Sequence, residues 1–497
     1  MEHKTEEGQP HLKLVTVALL MSNIMAGLDG TIVNTAMPAI TSDLHALSYI
    51  GWIVAVFLLG MSVSTPLWSK FGEHVGNKVA FLAATLLFIG GSIFQGSAQN
   101  IQFFILSRAI MGIGAGGMNT IPMIAYGFLY DDLHQRAQVV GLSSAFFNTA
   151  SIIGPLLGGW IVDTWNWRWI FYINVPIALV SITIVGLYFK PTHHGAAGKD
   201  IDYRGATLMV LGLTAILAGI EMLGTSTGWL VAAMLVLGVA LMVLMAHTER
   251  HVQDPIIPGR LFTNKQLVVD FSLFVVMWGA FIAFITYIPM WAQGLLGMSA
   301  LIGGVTQIPG ALTNFAGAEV AATAQERHPK YWLVTGGVLT LMIAFGIVLI
   351  GGQHTPFWLL LLAGAFEGFG VGFNFNILQV SVQTDVSVDD LPVATSVAYL
   401  LRILSQTMMS ALYGVVLNVT LESELAKHHG ITMKMMNQLT NAATAKNLSV
   451  GLIPTMRNIL FHGYRNTMIV AFVLGAGCLL IAVTVAIKQS RLPKTTE

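Results

Sequence analysis

Charge is scarce in this chain. Only 10% of its 497 residues are Asp, Glu, Lys or Arg, against about a quarter in a soluble domain. The 24 basic and 24 acidic residues cancel, so no strong field of one sign invites a nucleic-acid partner. Cysteine is almost missing: Cys478 stands alone, which excludes an internal disulfide and a Cys-rich zinc site. There is no HExxH pair and no Walker lysine motif, and no appended soluble domain is read from the composition. An enzyme, a sensor or an ATP-driven pump is therefore not expected, nor any cofactor or metal. The first eleven residues, MEHKTEEGQPH, lack the order of a removable leader. The first apolar run is accordingly expected to be retained.

What the chain has is hydrophobicity: 55% of residues are apolar. Fourteen apolar stretches are each about long enough to cross a bilayer. They fall near 13–38, 48–68, 79–98, 102–126, 138–162, 169–189, 204–223, 228–247, 267–292, 300–322, 332–351, 356–382, 392–418 and 466–488. Helices are expected, because lipid cannot satisfy an open backbone, and the alternation of a membrane barrel is absent. The sequence thus predicts an all-α polytopic membrane protein with 14 spans.

The basic residues orient it. With the N-terminus inside, 16 of the 24 Lys and Arg lie in inner loops or termini. Six lie outside, five of them in a long loop at about 421–465, and Arg108 and Arg402 lie within spans. This bias predicts that both termini are cytoplasmic. The long loop has room for a short helix or hairpin.

Glycine clusters inside the spans: GIGAGG (112–117), GPLLGG (154–159) and GFGVG (368–372). The first follows no strand, so close helix approach explains it better than a nucleotide loop. Ala150, Gly154 and Gly158 recur every four residues, which predicts one smooth face packed against an opposing bundle. Pro155 should kink its helix.

The intramembrane ions carry the functional argument. Asp29, Arg108, Glu367 and Arg402 lie well inside spans one, four, twelve and thirteen. Even lenient insertion scales charge about 2.5–3.5 kcal/mol for an ionised group there. Asp29 reads either as a structural carboxylate, paired with an arginine or set at a helix break near Gly27 and Gly30, or as a functional group. Burial disfavours a charged carboxyl and a nearby arginine favours it, so such a group can load and release a proton as its surroundings change. Glu221, Asp270 and Glu319 sit nearer span ends, where snorkelling explains them.

Several motifs in order resemble the fourteen-span drug:proton antiporter branch of the major facilitator superfamily. LDGTIVNTAMP (28–38) resembles the first-span motif, with Asp29, Asn34, Ala36 and Pro38 in register. LSRAIMGIGAGG (106–117) resembles the fourth-span motif, with its arginine at Arg108. ASIIGPLLGG (150–159) resembles the fifth-span antiporter motif through Gly154, Pro155, Gly158 and Gly159. NWRWIFYINVP (166–176) resembles the junction of spans five and six, and DYRGATLMVLGL (202–213) the start of span seven. The loop SKFGEHVGNKV (69–79) departs: Gly76 and Lys78 agree, but Glu73 stands for Asp, and Ser69, His74 and Asn77 replace a glycine and two basic residues. Met111 also replaces a common glutamine.

The resemblance implies two six-helix bundles with two inserted helices. Residues 1–190 would form the first bundle, 191–265 the linker with spans seven and eight, and 266–497 the second bundle. It implies a multi-pass, monomeric protein of the cytoplasmic membrane, surrounded by the lipid bilayer. Its activity would be proton-coupled export of lipophilic or cationic small molecules. Asp29, Arg108 and Glu367 would couple protons. Asn34, Trp52, Phe57, Asn148, Asn374, Asn376 and Gln379 would line the substrate cavity, and aromatic faces suit organic cations. Glu73, Gly76, Lys78 and, in span five, Gly154, Pro155, Gly158 and Gly159 would gate. A dedicated carrier of one metabolite, peptide or lipid-like substrate is the alternative on the same fold.

Overall fold

The computed structural model describes residues 11–130, 133–189, 203–223, 227–250, 252, 259–325, 327–386, 391–428 and 430–490, and its regular structure is helical throughout. The first group of helices is α1 (Leu12–Asp43), α2 (Ile50–Val75), α3 (Asn77–Gly96), α4 (Ile101–Leu129), α5 (Leu133–Thr164), the single turn α6 (Trp169–Tyr172) and α7 (Asn174–Tyr188). Next come α8 (Tyr203–Glu221) and α9 (Gly228–Glu249). The rest are α10 (Lys265–Gly294), α11 (Ala300–Val305), α12 (Ile308–Ala324), α13 (Lys330–Gly351), α14 (Phe357–Thr384), α15 (Leu391–Leu425), α16 (Met433–Leu439), α17 (Ala442–Ala445) and α18 (Ile453–Ser490). The stretch 191–202 expected to link the bundles lies outside the described residues.

Eleven helices among the described residues are long and apolar enough to cross a membrane. The expected count of fourteen is not reached on that measure, for physical reasons. α5 is 32 residues long but dotted with polar side chains, among them Gln135, Gln138, Ser143, Asn148 and Thr149. The apolar part of α8 is Arg204–Ile220, and α12 has 17 residues, including Asn314 and Glu319. The final helix also differs from expectation. It begins at Ile453, not near 466, because Met456, Ile459, Leu460, Gly463 and Tyr464 are buried. Tyr464 and Phe461 pack on Trp291 of α10. With α15 running to Leu425, the long loop shrinks to about 426–452, and it carries α16 and α17.

Helices α1 to α7 pack on one another, as do α10 to α18, while α8 and α9 pair together and α8 also touches α2 and α15. Glycines let these helices approach closely. On α4, Gly112 faces the carbonyl of Phe57 and Gly116 faces Ser64, both on α2; Gly114 and Gly117 meet Phe88 and Ala84 of α3. On α14, Gly368 and Gly372 lie on the backbone of Gly310 and Asn314 of α12. A side chain at any of these positions would separate the pair, so GIGAGG and GFGVG are packing seams.

The two groups of helices lock together at the end where α1 finishes, the Asp43 end. Asp163 at the close of α5 accepts from the backbone N–H groups of Ala300 and Leu301, at 3.1 and 2.9 Å, and so caps α11. This is the favourable place for an anion on a helix. Gln293 donates to Thr35 O at 3.0 Å, and Asn418 to Ser48 O at 2.6 Å. The loop helix α16 lies over the end of α1. Asn437 accepts from Leu47 N at 2.7 Å, Thr440 donates to Pro38 O at 3.4 Å, and Thr444 meets Ser42 at 2.9 Å. The expected direction of the span-five glycines needs correction. Gly154 and Gly158 face Thr31 and Ile32 of α1, in their own group of helices; Gly159 is the glycine that abuts α11, at Leu301.

At the same end, Asp43 binds Arg168 at 2.7 Å and accepts from Trp167 Nε1 at 3.1 Å, while Arg168 donates to Ala98 O at 3.0 Å. The NWRW motif thus staples α1 to the α3–α4 turn. Trp160, Trp165 and Trp169 are exposed neighbours there, as befits a membrane–water interface.

The closure can be tested with the lone cysteine removed (Cys478→Ala). A Ser42→Cys, Thr444→Cys pair should form a disulfide under mild oxidation, read as a reducible loss of labelling by maleimide. No cross-link under any condition would contradict the docking of the loop.

Candidate functional site

Asp29 lies 17 residues after Leu12 on α1, about 25 Å along the helix and hence deep in the layer. The helix is continuous from Leu12 to Asp43, so the expected break near Gly27 and Gly30 is absent. The carboxyl is instead held by a partner from α4. Arg108 Nη1 lies 3.2 Å from Asp29 Oδ2, with both side chains buried. Arg108 Nε also donates to Ile53 O of α2 at 3.2 Å, and its guanidinium sits 4.1 Å over the Phe57 ring. The α2–α4 glycine seam sets this geometry, because Gly112 brings Arg108's helix onto the Phe57 backbone. Asp29 Oδ1 has no hydrogen-bond partner among the described residues. One lone-pair set of this carboxylate is satisfied and the other is open.

Beside it, Gly30 is exposed although α1 packs against α4, α5, α7 and α10. An added Cβ there would meet nothing within 4 Å, so space lies on that face of α1. Asn34, one turn on, is buried with its amide on Gly30 O at 3.4 Å.

The other candidates disperse. Glu367 is buried on α14 at the α12 seam, beside Gly310, with Oε1 unpartnered and no cation within ion-pair distance among the described residues. Arg402 of α15 stacks on rings of α10, α14 and α15. Phe57 belongs with Arg108. Trp52 packs on the cluster that α2 shares with α8 and α15. Asn374 is buried against Gly337 of α13, Asn376 accepts from Gln325 at 2.8 Å, and Gln379 is half-buried. Gly76 turns α2 into α3 with φ +90°, a conformation that favours glycine. Lys78 is half-buried. The side chains of Glu73 and Asn148 lie outside the described residues.

A second polar cluster is not legible as a site in the sequence. Lys330 of α13 bridges Asp270 of α10 at 3.2 Å and Asp385, just past α14, at 3.0 Å. Tyr331 donates to Asp270 at 3.0 Å, and Ser381 bonds both carboxylates and Lys330. Asp270 is fully buried, so it does not snorkel. It ties three helices together at the Leu12 end.

The sequence profile of the Major Facilitator Superfamily matches residues 19–407. The chain belongs to the Major Facilitator Superfamily. It is thus a transporter and not an enzyme. Among Major Facilitator relatives, it is 29% identical over 437 residues to the multidrug transporter protein MdtP of Bacillus subtilis (strain 168), covering 84% of this chain and 77% of that protein. It is 27% identical over 445 residues to the rubrofusarin-specific efflux pump aurT of Gibberella zeae, covering 86% and 81%. Among solved structures, a bacterial homolog to the human lysosomal transporter Spinster superposes with a TM-score of 0.63 at 15% identity, covering 98% of this chain and 99% of that one. A D-xylose-proton symporter does so with a TM-score of 0.59 at 15% identity, covering 88% and 97%. These two likenesses establish the fold alone.

The buried pair makes a stability prediction. Arg108→Gln should lower stability by about 3–5 kcal/mol, since it leaves Asp29 charged and alone. Adding Asp29→Asn should recover part of that loss. Thermal unfolding of the purified variants in detergent checks the order; a double variant no more stable than Arg108→Gln would contradict the pairing.

Proposed function

We propose that this protein is a proton-coupled antiporter that exports lipophilic or cationic small molecules across the cytoplasmic membrane. The observation that carries this reading is the buried Asp29–Arg108 pair beside the open face at Gly30. A carboxylate in hydrocarbon is retained where it works. Here a proton and a cationic substrate compete for one anion. A proton arriving from outside releases Arg108 and removes the attraction for substrate; its loss to the inside restores both. The efflux relatives support the direction of transport. Glu367, unpaired at the α12–α14 seam, is a second acid available to a cation. The space at Gly30 would be the place for the substrate, with Asn34, Asn148, Asn376 and Gln379 as candidate contacts. Gly76, Lys78 and Glu73 would gate the Leu12 end.

The finer topology is part of the same proposal. α5, α8 and α12 would supply the three further crossings of a fourteen-span topology, beyond the eleven helices long and apolar enough to cross. The two groups of helices would be the bundles, residues 1–190 and 266–497, with α8 and α9 inserted between them. The protein would act as a monomer, with both termini and the Leu12 end cytoplasmic. Export of a single metabolite is the second reading, supported by the substrate-specific name of the aurT relative.

The test is efflux in inverted vesicles. An imposed proton gradient should drive an organic cation such as ethidium into the lumen, and a protonophore should stop it. Asp29→Asn should cut driven transport at least ten-fold at unchanged membrane level. Wild-type transport by Asp29→Asn would remove Asp29 from the mechanism.

A further inference from the structure

Arg402 has no counter-ion among the described residues. Its guanidinium carbon lies 3.9 Å from the ring centroid of Trp278 on α10, 5.5 Å from Phe375 on α14 and 5.6 Å from Tyr399, one turn back on α15. Trp278 is itself edge-on to Phe281 and Phe375. No carboxylate lies within ion-pair distance of Arg402 among the described residues, and its Nε, shielded from solvent, has no hydrogen-bond partner. The contrast with Arg108 is direct. That residue also lies over a ring, yet it has Asp29 and a backbone carbonyl to take its N–H groups.

Ring faces attract a guanidinium but accept none of its in-plane N–H groups in the way a carboxylate does. A buried donor left unmade costs free energy, and an unneutralised charge in the layer costs more. Arg402 and Phe375 are half-buried and Tyr399 is exposed. A guanidinium facing lipid would be the dearest arrangement, so the partial exposure of this face favours an opening on the interior of the carrier.

We propose that Arg402, with Trp278, Phe375 and Tyr399, forms a binding subsite for the anionic head of an aromatic organic acid. The two free edges of a guanidinium match a carboxylate or sulfonate in bidentate fashion, and the surrounding rings take the flat body beside it. The assignment rests on the carrier reading above and extends it: the substrates include amphipathic anions or zwitterions, with the anion at Arg402 and any cationic group toward the carboxylates. A membrane phosphate would supply charge without an aromatic body, so the cage of rings favours the acid.

The purified full-length protein in neutral detergent tests this by calorimetric titration, with protein-free micelles as blank. The probes are 2-naphthoate and its neutral counterpart 2-naphthylmethanol. Wild type should bind the acid at least ten-fold more tightly than the alcohol. Arg402→Gln should abolish that preference and leave alcohol binding unchanged, and Arg402→Lys should keep only part of it. Equal binding of acid and alcohol by wild type overturns the proposal even if Arg402→Gln does not fold. So does an acid preference that survives Arg402→Gln, or displacement of naphthoate by phosphatidylglycerol added to the micelles. The preference without driven efflux would refute the antiporter and leave the subsite standing; efflux without the preference would do the reverse.

Discussion

A charge in hydrocarbon must find an opposite charge, a polar partner or water. The interior of this protein is organised around that requirement. Asp29 and Arg108 meet where α1 packs on α4, and α4 lies against α2 because glycines stand where side chains would hold the two apart. The same seam seats the arginine on Phe57 and on the carbonyl of Ile53. The pair links three helices, and with Asp29 Oδ1 unpartnered among the described residues it leaves room to accept something else. Arg402 and Glu367 have no such mutual solution. Each sits on a different seam of the second group of helices, one against rings and one against glycine backbone.

α1 joins this chemistry to the closure of the molecule. Along one continuous helix it carries Asp29, then Thr35 and Pro38, whose carbonyls accept from α10 and the α16 loop, then Ser42 and Asp43. A carrier needs an element with two arrangements that both the ion and the substrate bias. In the antiporter reading, α1 fills that role: release of Arg108 at its centre and release of the loop at its end act on one rigid body. The polar contacts at the Asp43 end are individually modest, at about 0.5–1.5 kcal/mol each. They can therefore be made and broken within a transport cycle.

Much of this could be read from the sequence. Apolar runs marked the helices because length and composition alone define a span. Asp29 and Arg108 stood out because a charge in such a run is conspicuous. Other features were illegible for reasons of distance and direction. Lys330 and Asp270 lie 60 residues apart and each is near a helix end, so each alone reads as a snorkelling side chain. The rings around Arg402 come from three helices. Four-residue spacing announced a smooth face on α5 but not its neighbour, and Gly154 turned out to face α1 while Gly159 met α11. The polar residues scattered along α5 keep it below a strict measure of hydropathy although its apolar stretch is legible, and the apolar residues from Met456 to Tyr464 read as loop because Arg457 and His462 lie among them.

The central claim is that proton and substrate exclude one another at Asp29. Its most direct test is proton release in the absence of any gradient. Purified protein in weakly buffered detergent, with a pH-indicator dye, is mixed with an organic cation such as ethidium. The account predicts a substrate-dependent release of protons by wild type at a pH where the site is partly protonated, and none by Asp29→Asn. An equal release from both proteins would contradict it.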